Sequence, residues 1–186
     1  FINNYTPYDS YELHQPIPDG MDYYNATSNI TGLPEYNITM ARNFLLNSST
    51  YGSACTSRGL SNTSSDFDWI NIAQTNPIDT FSFTRYTSSF LDTLYSQLNM
   101  YCELIGFQID DNYVGDWPTY LDYLSNYLYE VDLFFSGWGP DYYDPINMIE
   151  GLYKSNGAYN NFNIANSTLD QLIEDSYNST GIAREN

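Results

Sequence analysis

The chain has 186 residues, and its 23 carboxylates so outnumber its five cations that the formal net charge is −18 at pH 7. Phosphate backbones and anionic lipid headgroups would be repelled by this charge, which argues against nucleic-acid and membrane-surface binding. Cationic ligands are tolerated, and high solubility or an acidic extracellular milieu would also account for the balance. No apolar run approaches the length of a transmembrane helix.

Asparagine and tyrosine are enriched, and eight N-x-[S/T] sequons occur where about four are expected by chance. The excess favours an exported glycoprotein with N-linked glycans. In such a protein the two cysteines, Cys55 and Cys102, predict one disulfide, the alternative being two unpaired buried thiols. The candidate glycosylation sites are Asn4, Asn25, Asn29, Asn37, Asn47, Asn62, Asn166 and Asn178.

The first 35 residues hold most of the turn formers and show no lasting periodicity. Segment 1–35 is therefore predicted to be an extended, irregular connection that crosses a surface. Residues 37–47 carry apolar side chains at helical spacing. The Ser- and Thr-rich stretch 49–66 that follows is predicted to be a polar loop.

The second half is more regular, and its strands alternate with helices. The predicted order is strand 79–86, helix 88–105, strand 107–114, a helix opened by Asp116-Trp117-Pro118, strand 129–138, a helix opened by Asp144-Pro145, and a last helix opened by Asn166-Ser167. Asp170, three residues after Ser167, suggests a capping box. The alternation indicates an α/β layer architecture with parallel strand pairing.

The stretch SGWGPDYYDP, residues 136–145, follows a predicted strand, and ligands of open α/β sheets gather at the carboxyl ends of strands. Gly137 would let the backbone approach a ligand, Trp138 offers a flat apolar contact, and Asp141 can pair with an ammonium group. The alternative is a core tryptophan with Asp141 in a turn. For Asp144, directly before a proline, a helix cap is the preferred interpretation.

Sequence motifs of catalysis are missing: the chain has no nucleophile elbow, phosphate-binding loop, dinucleotide fingerprint or H-E-x-x-H. A catalytic triad would have to use the single histidine, His14, in the irregular segment. The nearest carboxylate pairs, Asp110/Asp111 and Asp141/Asp144, are of a kind usually solvated in acidic proteins. One histidine and two cysteines are too few for the usual four-ligand zinc site, which argues against one. We therefore expect no enzyme, no metal and no cofactor.

Five segments in order resemble the extracellular oligopeptide/dipeptide-binding proteins of ABC importers. They are QPIPDGM, YNITMARNFLLNS, SQLNMYCELIGFQIDDNYVGDWPTYLDYL, YEVDLFFSGWGPDYYDPINMIEGLYKSN and NSTLDQLIEDSYNSTGIAREN. The resemblance spans roughly residues 14–186 and covers a later portion of such proteins, mostly one lobe. It implies a partial periplasmic-binding-protein-like (type II) lobe over 36–186, with the start of the return crossover between lobes.

Carried over to this chain, the resemblance implies a non-catalytic, extracellular protein that captures oligopeptides or similar small solutes for a membrane ABC permease. Asp141 would bind the free α-amino group of a peptide, Trp138 and Gly137 would line the pocket, and Tyr142 and Tyr143 would flank it. The alternative is a structural cell-surface glycoprotein, an S-layer or filament subunit that reuses the fold and self-assembles. The dense sequons and the Tyr/Asn richness of the chain give an archaeal-like composition.

Overall fold

The computed structural model describes residues 13, 15–28 and 35–180, and shows a mixed α/β protein with a small parallel sheet. Its strands are β1 (Thr80–Arg85), β2 (Gln108–Tyr113) and β3 (Leu133–Phe134). Its helices are α1 (Ile38–Asn47), α2 (Gly52–Ser57), α3 (Asp66–Thr75), α4 (Ser89–Glu103), α5 (Trp117–Tyr127), α6 (Pro145–Tyr153) and α7 (Ser167–Tyr177), with 3-10 turns at Ala26–Ser28 and Leu128–Glu130.

The sheet has the order β2-β1-β3, and both pairings are parallel. Helix α4 connects β1 to β2, and α5 connects β2 to β3, so the predicted alternation with parallel pairing is confirmed. The pairing of β1 with β2 runs from Thr80↔Gln108 to Arg85↔Tyr113. Within the described residues, none of the helices is long and apolar enough to cross a lipid bilayer.

The chain divides into two compact units. One unit is Pro34–Phe135, which contains the sheet and helices α1 to α5. The other combines Phe1–Leu33 with Ser136–Asn186, and its described part contains α6 and α7. The lobe predicted over 36–186 placed 136–186 together with the sheet, and the grouping of that segment with the N-terminal one was not predicted.

The core of the sheet unit forms where α2, α3 and the start of the two long strands meet. Trp69 is fully buried there, and the cluster is completed by Cys55, Leu60, Ile78 and Phe107. The chain turns into this cluster at Gly106, whose φ of +80° favours glycine. A Cβ at that position would also lie 2.6 Å from the Ile78 side chain, so glycine is needed for packing as well.

Two predicted elements are corrected by the structure. The loop predicted over 49–66 contains α2, because Gly52 brings that helix so close to α1 that a Cβ would lie 2.7 Å from the Leu46 carbonyl oxygen. The strand predicted over 129–138 pairs only at Leu133–Phe134. Before it, the Asp132 carboxylate accepts hydrogen bonds from the Ser82 backbone N–H (2.8 Å) and hydroxyl (3.1 Å), in place of ladder pairing.

Two helices start at the aspartates predicted to open or cap them, Asp116 and Asp144. The Asp116 carboxylate accepts from the Thr119 backbone N–H at 3.0 Å, and Pro118 lies in the first turn of α5. At α7, by contrast, the predicted capping box is wrong. Asn166 caps that helix, while the Asp170 carboxylate accepts from the Ser155 backbone N–H at 2.8 Å.

Capping by Asp116 predicts a specific dependence of stability on pH. Hydrogen bonds from the Thr119 side chain and backbone lower the pKa of Asp116 below its usual value. Because the folded-state pKa is depressed, the stabilisation is present above the unfolded value of about 4 and is lost as the pH falls through the folded value. In Asp116→Asn, which keeps a capping side chain, the urea concentration at the unfolding midpoint should therefore fall less between pH 7 and pH 3 than it does in wild type. Asp122→Asn, on the exposed face of the same helix, is the control; an equal pH response in the Asp116 variant and wild type would contradict the cap's role.

Candidate functional site

The 136–144 stretch is an irregular loop between β3 and α6, and α6 fixes its conformation. Asn147 binds the loop through two groups. Its backbone carbonyl accepts from the Trp138 indole Nε1–H at 2.8 Å, and its side-chain oxygen accepts from the Asp141 backbone N–H at 2.7 Å. Both predicted ligand-binding residues are thus held by the same residue of α6.

The Trp138 ring is half-buried and is held between α6 and the turn that follows it. On one side it lies over Gly151, where a Cβ would come within 3.1 Å of the indole. On another side, the Tyr159 ring centroid lies 4.9 Å away at an interplanar angle of 56°. The turn itself requires Gly157, since a Cβ there would lie 2.6 Å from two carbonyl oxygens of α6. Trp138 is therefore a positioned aromatic surface rather than a fully buried core residue.

Asp141 is exposed, and among the described residues its carboxylate has no hydrogen-bond or ion-pair partner. Asp144 differs in role, because its side chain accepts from the Ile146 backbone N–H at 2.9 Å and caps α6 ahead of Pro145. The interpretation of Asp144 as a helix cap is confirmed. The two aspartates of the motif are consequently not equivalent.

The other predicted site residues, Gly137, Tyr142 and Tyr143, are all exposed. A Cβ at Gly137 would meet no atom within 4 Å, so nothing in the protein itself requires glycine there. The Tyr143 hydroxyl donates to the Gly20 carbonyl, which ties the loop to the N-terminal segment of the same unit.

Among the described residues, Trp138 contributes to the lining of two open pockets. The polar pocket has a volume of about 320 Å³ and is lined by polar and aromatic side chains, among them Trp138, Asn147, Glu150, Lys154, Asn156 and Tyr159. The apolar pocket has a volume of about 530 Å³ and is lined mainly by apolar side chains, among them Leu13, Pro16, Trp138, Met148, Leu152 and Tyr153. Asp141 lines neither pocket, although Asn147, which holds its backbone, lines the polar one.

The one cation among the described residues that line the polar pocket, Lys154, is already paired with carboxylates of the protein. The Lys154 ammonium donates to Glu150 at 3.4 Å and to Glu174 at shorter range, and these contacts raise the pKa of Lys154, with Glu174 the larger cause. The Tyr177 hydroxyl donates to the other oxygen of Glu150, which raises the pKa of Tyr177. A lysine shared by two carboxylates is not available to an anion, so the pocket favours neutral or cationic groups.

The alternative carboxylate pairs each lose one member to a structural role. Asp111 forms a two-pronged ion pair with Arg85, at 2.6 Å and 2.7 Å, and Asp144 is a helix cap. The described residues contain no group of three or more His, Cys, Asp or Glu side chains placed to share a metal ion. His14 lies outside the described residues.

Both cysteines are free thiols in the structure, so the predicted disulfide is not formed there. Cys55 is fully buried in the core cluster, and the partly buried Cys102 packs against that cluster. Burial raises the pKa of each thiol, which lowers the fraction present as the reactive thiolate. The structure thus matches the alternative of two unpaired thiols.

Sequence reasoning identified Trp138 and Asp141 but missed Asn147, Glu150, Lys154 and Tyr159. Asn147 and Glu150 lie on α6, and Lys154 is its C-cap at the same helical spacing; this stripe was a usable signal because residues three and four apart share a helix face. The contribution of Tyr159 depends on the turn at Gly157, which no local pattern indicates.

Comparison with known proteins gives a sparse result. No family model matches the chain, and no curated protein matches it. Among solved structures, the chain is similar to OppA of Haemophilus influenzae, crystallised in complex with RPPGFSPFR, with 16% sequence identity and a TM-score of 0.49. The match covers 80% of this chain and 35% of that one, so the chain spans about a third of the length of the protein it matches.

Proposed function

We propose that this protein captures oligopeptides outside the cell and delivers them to a membrane ABC permease, without catalysis. The observation that carries the proposal is the double attachment of the 136–144 loop to Asn147, at 2.8 Å and 2.7 Å. It fixes the Asp141 backbone while the carboxylate stays exposed to solvent. A carboxylate carried on a backbone that is already fixed loses less freedom when it binds, which favours recognition of an ammonium group.

The surroundings of Asp141 suit the amino end of a peptide. The strongly acidic chain attracts cations, and Lys154, which lines the polar pocket together with Asn147, is already paired with two carboxylates. Trp138 offers an aromatic surface within the loop, and Tyr142 and Tyr143 present exposed rings beside Asp141. In the proposed complex, Asp141 accepts from the peptide's α-ammonium group while Trp138 contacts apolar parts of the peptide.

The proposal predicts that Asp141→Asn lowers the affinity for trialanine by about 10- to 100-fold, as expected for a hydrogen bond between charged groups that a ligand covers. Isothermal titration calorimetry of the protein with trialanine measures this change. N-acetyl-trialanine, which lacks the ammonium group, should bind wild type and the Asp141 variant with equal, weak affinity. Asp175→Asn, at another exposed carboxylate of the same unit, should bind trialanine as wild type does.

Equal affinity of wild type and Asp141→Asn for trialanine would refute the ammonium-binding role. If none of several free-amine peptides gave a heat of binding, peptide capture itself would be refuted. That result would favour the second candidate, a structural cell-surface glycoprotein. One observation supports that candidate: α1 has no buried residue, and Phe44 on it is 71% exposed. Such a helix suits a contact between subunits better than a solvated surface.

A further inference from the structure

Six of the eight sequon asparagines lie in the described part of the chain, and all six are exposed. The other two, Asn4 and Asn29, lie outside the described residues. N-linked modification joins a sugar to the side-chain nitrogen, Nδ2, of asparagine. The six sites can therefore be sorted by whether Nδ2 or the side-chain oxygen, Oδ1, is engaged in the fold.

At Asn25 the side-chain contacts with described residues use Oδ1. This oxygen accepts from the backbone N–H of Thr27 at 3.0 Å and from the Thr27 hydroxyl at 2.7 Å. Thr27 is the third residue of the same sequon, so the tripeptide closes into an Asx turn. Among the described residues, no hydrogen bond uses Nδ2 of Asn25.

Asn37 and Asn166 also use Oδ1, in both cases as helix caps. Asn37 accepts from the Met40 N–H at 2.9 Å at the start of α1. Asn166 accepts from the N–H groups of Thr168 and Leu169, at 3.0 Å and 3.1 Å, at the start of α7. A cap needs only the oxygen, so a sugar on Nδ2 leaves the cap in place.

Asn47 and Asn178 use the opposite atom, because both lie at the carboxyl end of a helix. Nδ2 of Asn47 donates to the Asn43 carbonyl at 2.8 Å, and Nδ2 of Asn178 donates to the Glu174 carbonyl at 3.5 Å. In each case the nitrogen is turned back along the helix toward its own backbone. A sugar there would have to displace this contact or lie against the helix.

Asn62 lies in the exposed loop between α2 and α3. Its neighbours Ser61, Thr63 and Ser64 bond among themselves through their hydroxyls, and within the described residues no hydrogen bond uses the Asn62 side chain. This site combines exposure with an unengaged Nδ2.

We propose that Asn25, Asn37, Asn62 and Asn166 carry N-linked saccharides and that Asn47 and Asn178 do not. In the reaction, Nδ2 bonds to the anomeric carbon of a saccharide donor joined to lipid through phosphate. The bond from that carbon to the phosphate oxygen breaks, the lipid phosphate leaves with the electron pair, and Nδ2 loses one proton. The proposal is independent of peptide capture, since none of these sites lines the pockets beside Trp138.

The test is site-resolved mass spectrometry of the protein isolated from the cells that encode it. Peptides containing the four proposed sites should carry saccharide in most copies, and those containing Asn47 and Asn178 should be mostly unmodified. Thr27→Val, which keeps the residue's shape but removes the sequon hydroxyl, should abolish modification of Asn25. Thr27→Ser, the matched control, should retain it.

Unmodified peptides at all four proposed sites would overturn the assignment. Occupancy at Asn47 or Asn178 equal to that at Asn25 would overturn the selection by side-chain geometry.

Discussion

Trp69→Ala should lower the free energy of unfolding by about 3–5 kcal/mol, the usual cost of removing a large buried aromatic side chain. The Trp69 side chain is fully buried, and it contacts the cluster that holds Leu60, Ile78 and Phe107 together. Truncation would leave a cavity between α3 and the strands, which rigid neighbours fill only in part. Urea unfolding, followed by circular dichroism at constant protein concentration, measures the change.

The matched control is Trp69→Phe. The indole Nε1–H of Trp69 is buried and has no hydrogen-bond partner among the described residues, and an unpaired buried donor costs about 1–3 kcal/mol. Phenylalanine removes this donor and keeps a ring beneath the Arg42 guanidinium, which lies 5.1 Å from the ring centroid. We therefore expect Trp69→Phe to lose less than half the stability that Trp69→Ala loses. Equal losses would show that ring size, with no contribution from the unpaired donor, governs this position.

Local sequence signals predicted the elements that have local causes. Asp116 and Asp144 each precede a helix that begins with or near a proline, and both act as caps in the structure. The strands β1 and β2 alternate in sequence and pair as predicted. Helix α2 has no such signal, because its polar Ser and Thr residues are typical of loops and its position depends on the close approach of Gly52 to α1.

The residues of the candidate site also fall into those with a local sequence signal and those without one. Gly, Trp and Asp at short spacing after a strand were enough to single out Trp138 and Asp141. Asn147 could not be identified from its type, because it acts through a backbone carbonyl as well as through its side chain. The grouping of the loop with the N-terminal segment could not be predicted either, because it depends on the contact of Tyr143 with Gly20, more than a hundred residues away.

Arg85→Met should lower the free energy of unfolding by about 3 kcal/mol, the lower end of the range for breaking a buried ion pair, because the Asp111 side chain is 31% exposed. Arg85 is only 9% exposed and bonds Asp111 at 2.6 Å and 2.7 Å and Asp92 at 2.5 Å. Its guanidinium also lies 5.7 Å and 5.5 Å from the ring centroids of Tyr95 and Tyr113. These carboxylates raise the pKa of Arg85, with Asp111 the largest cause, so the cation is maintained at all ordinary pH values.

Removing the cation would leave two carboxylates close together in a chain of net charge −18, with no other cation bonded to either among the described residues. Much of the loss should therefore come from Asp111, and Asp111→Asn in the Arg85→Met background should recover part of it. Asp92 is 61% exposed in its side chain, so Asp92→Asn alone should cost no more than about 1 kcal/mol. A double-mutant cycle of urea unfolding measures the coupling between Arg85 and Asp111. Strictly additive effects would mean that Arg85 stabilises the sheet by packing against Tyr95 and Tyr113, with no contribution from its charge.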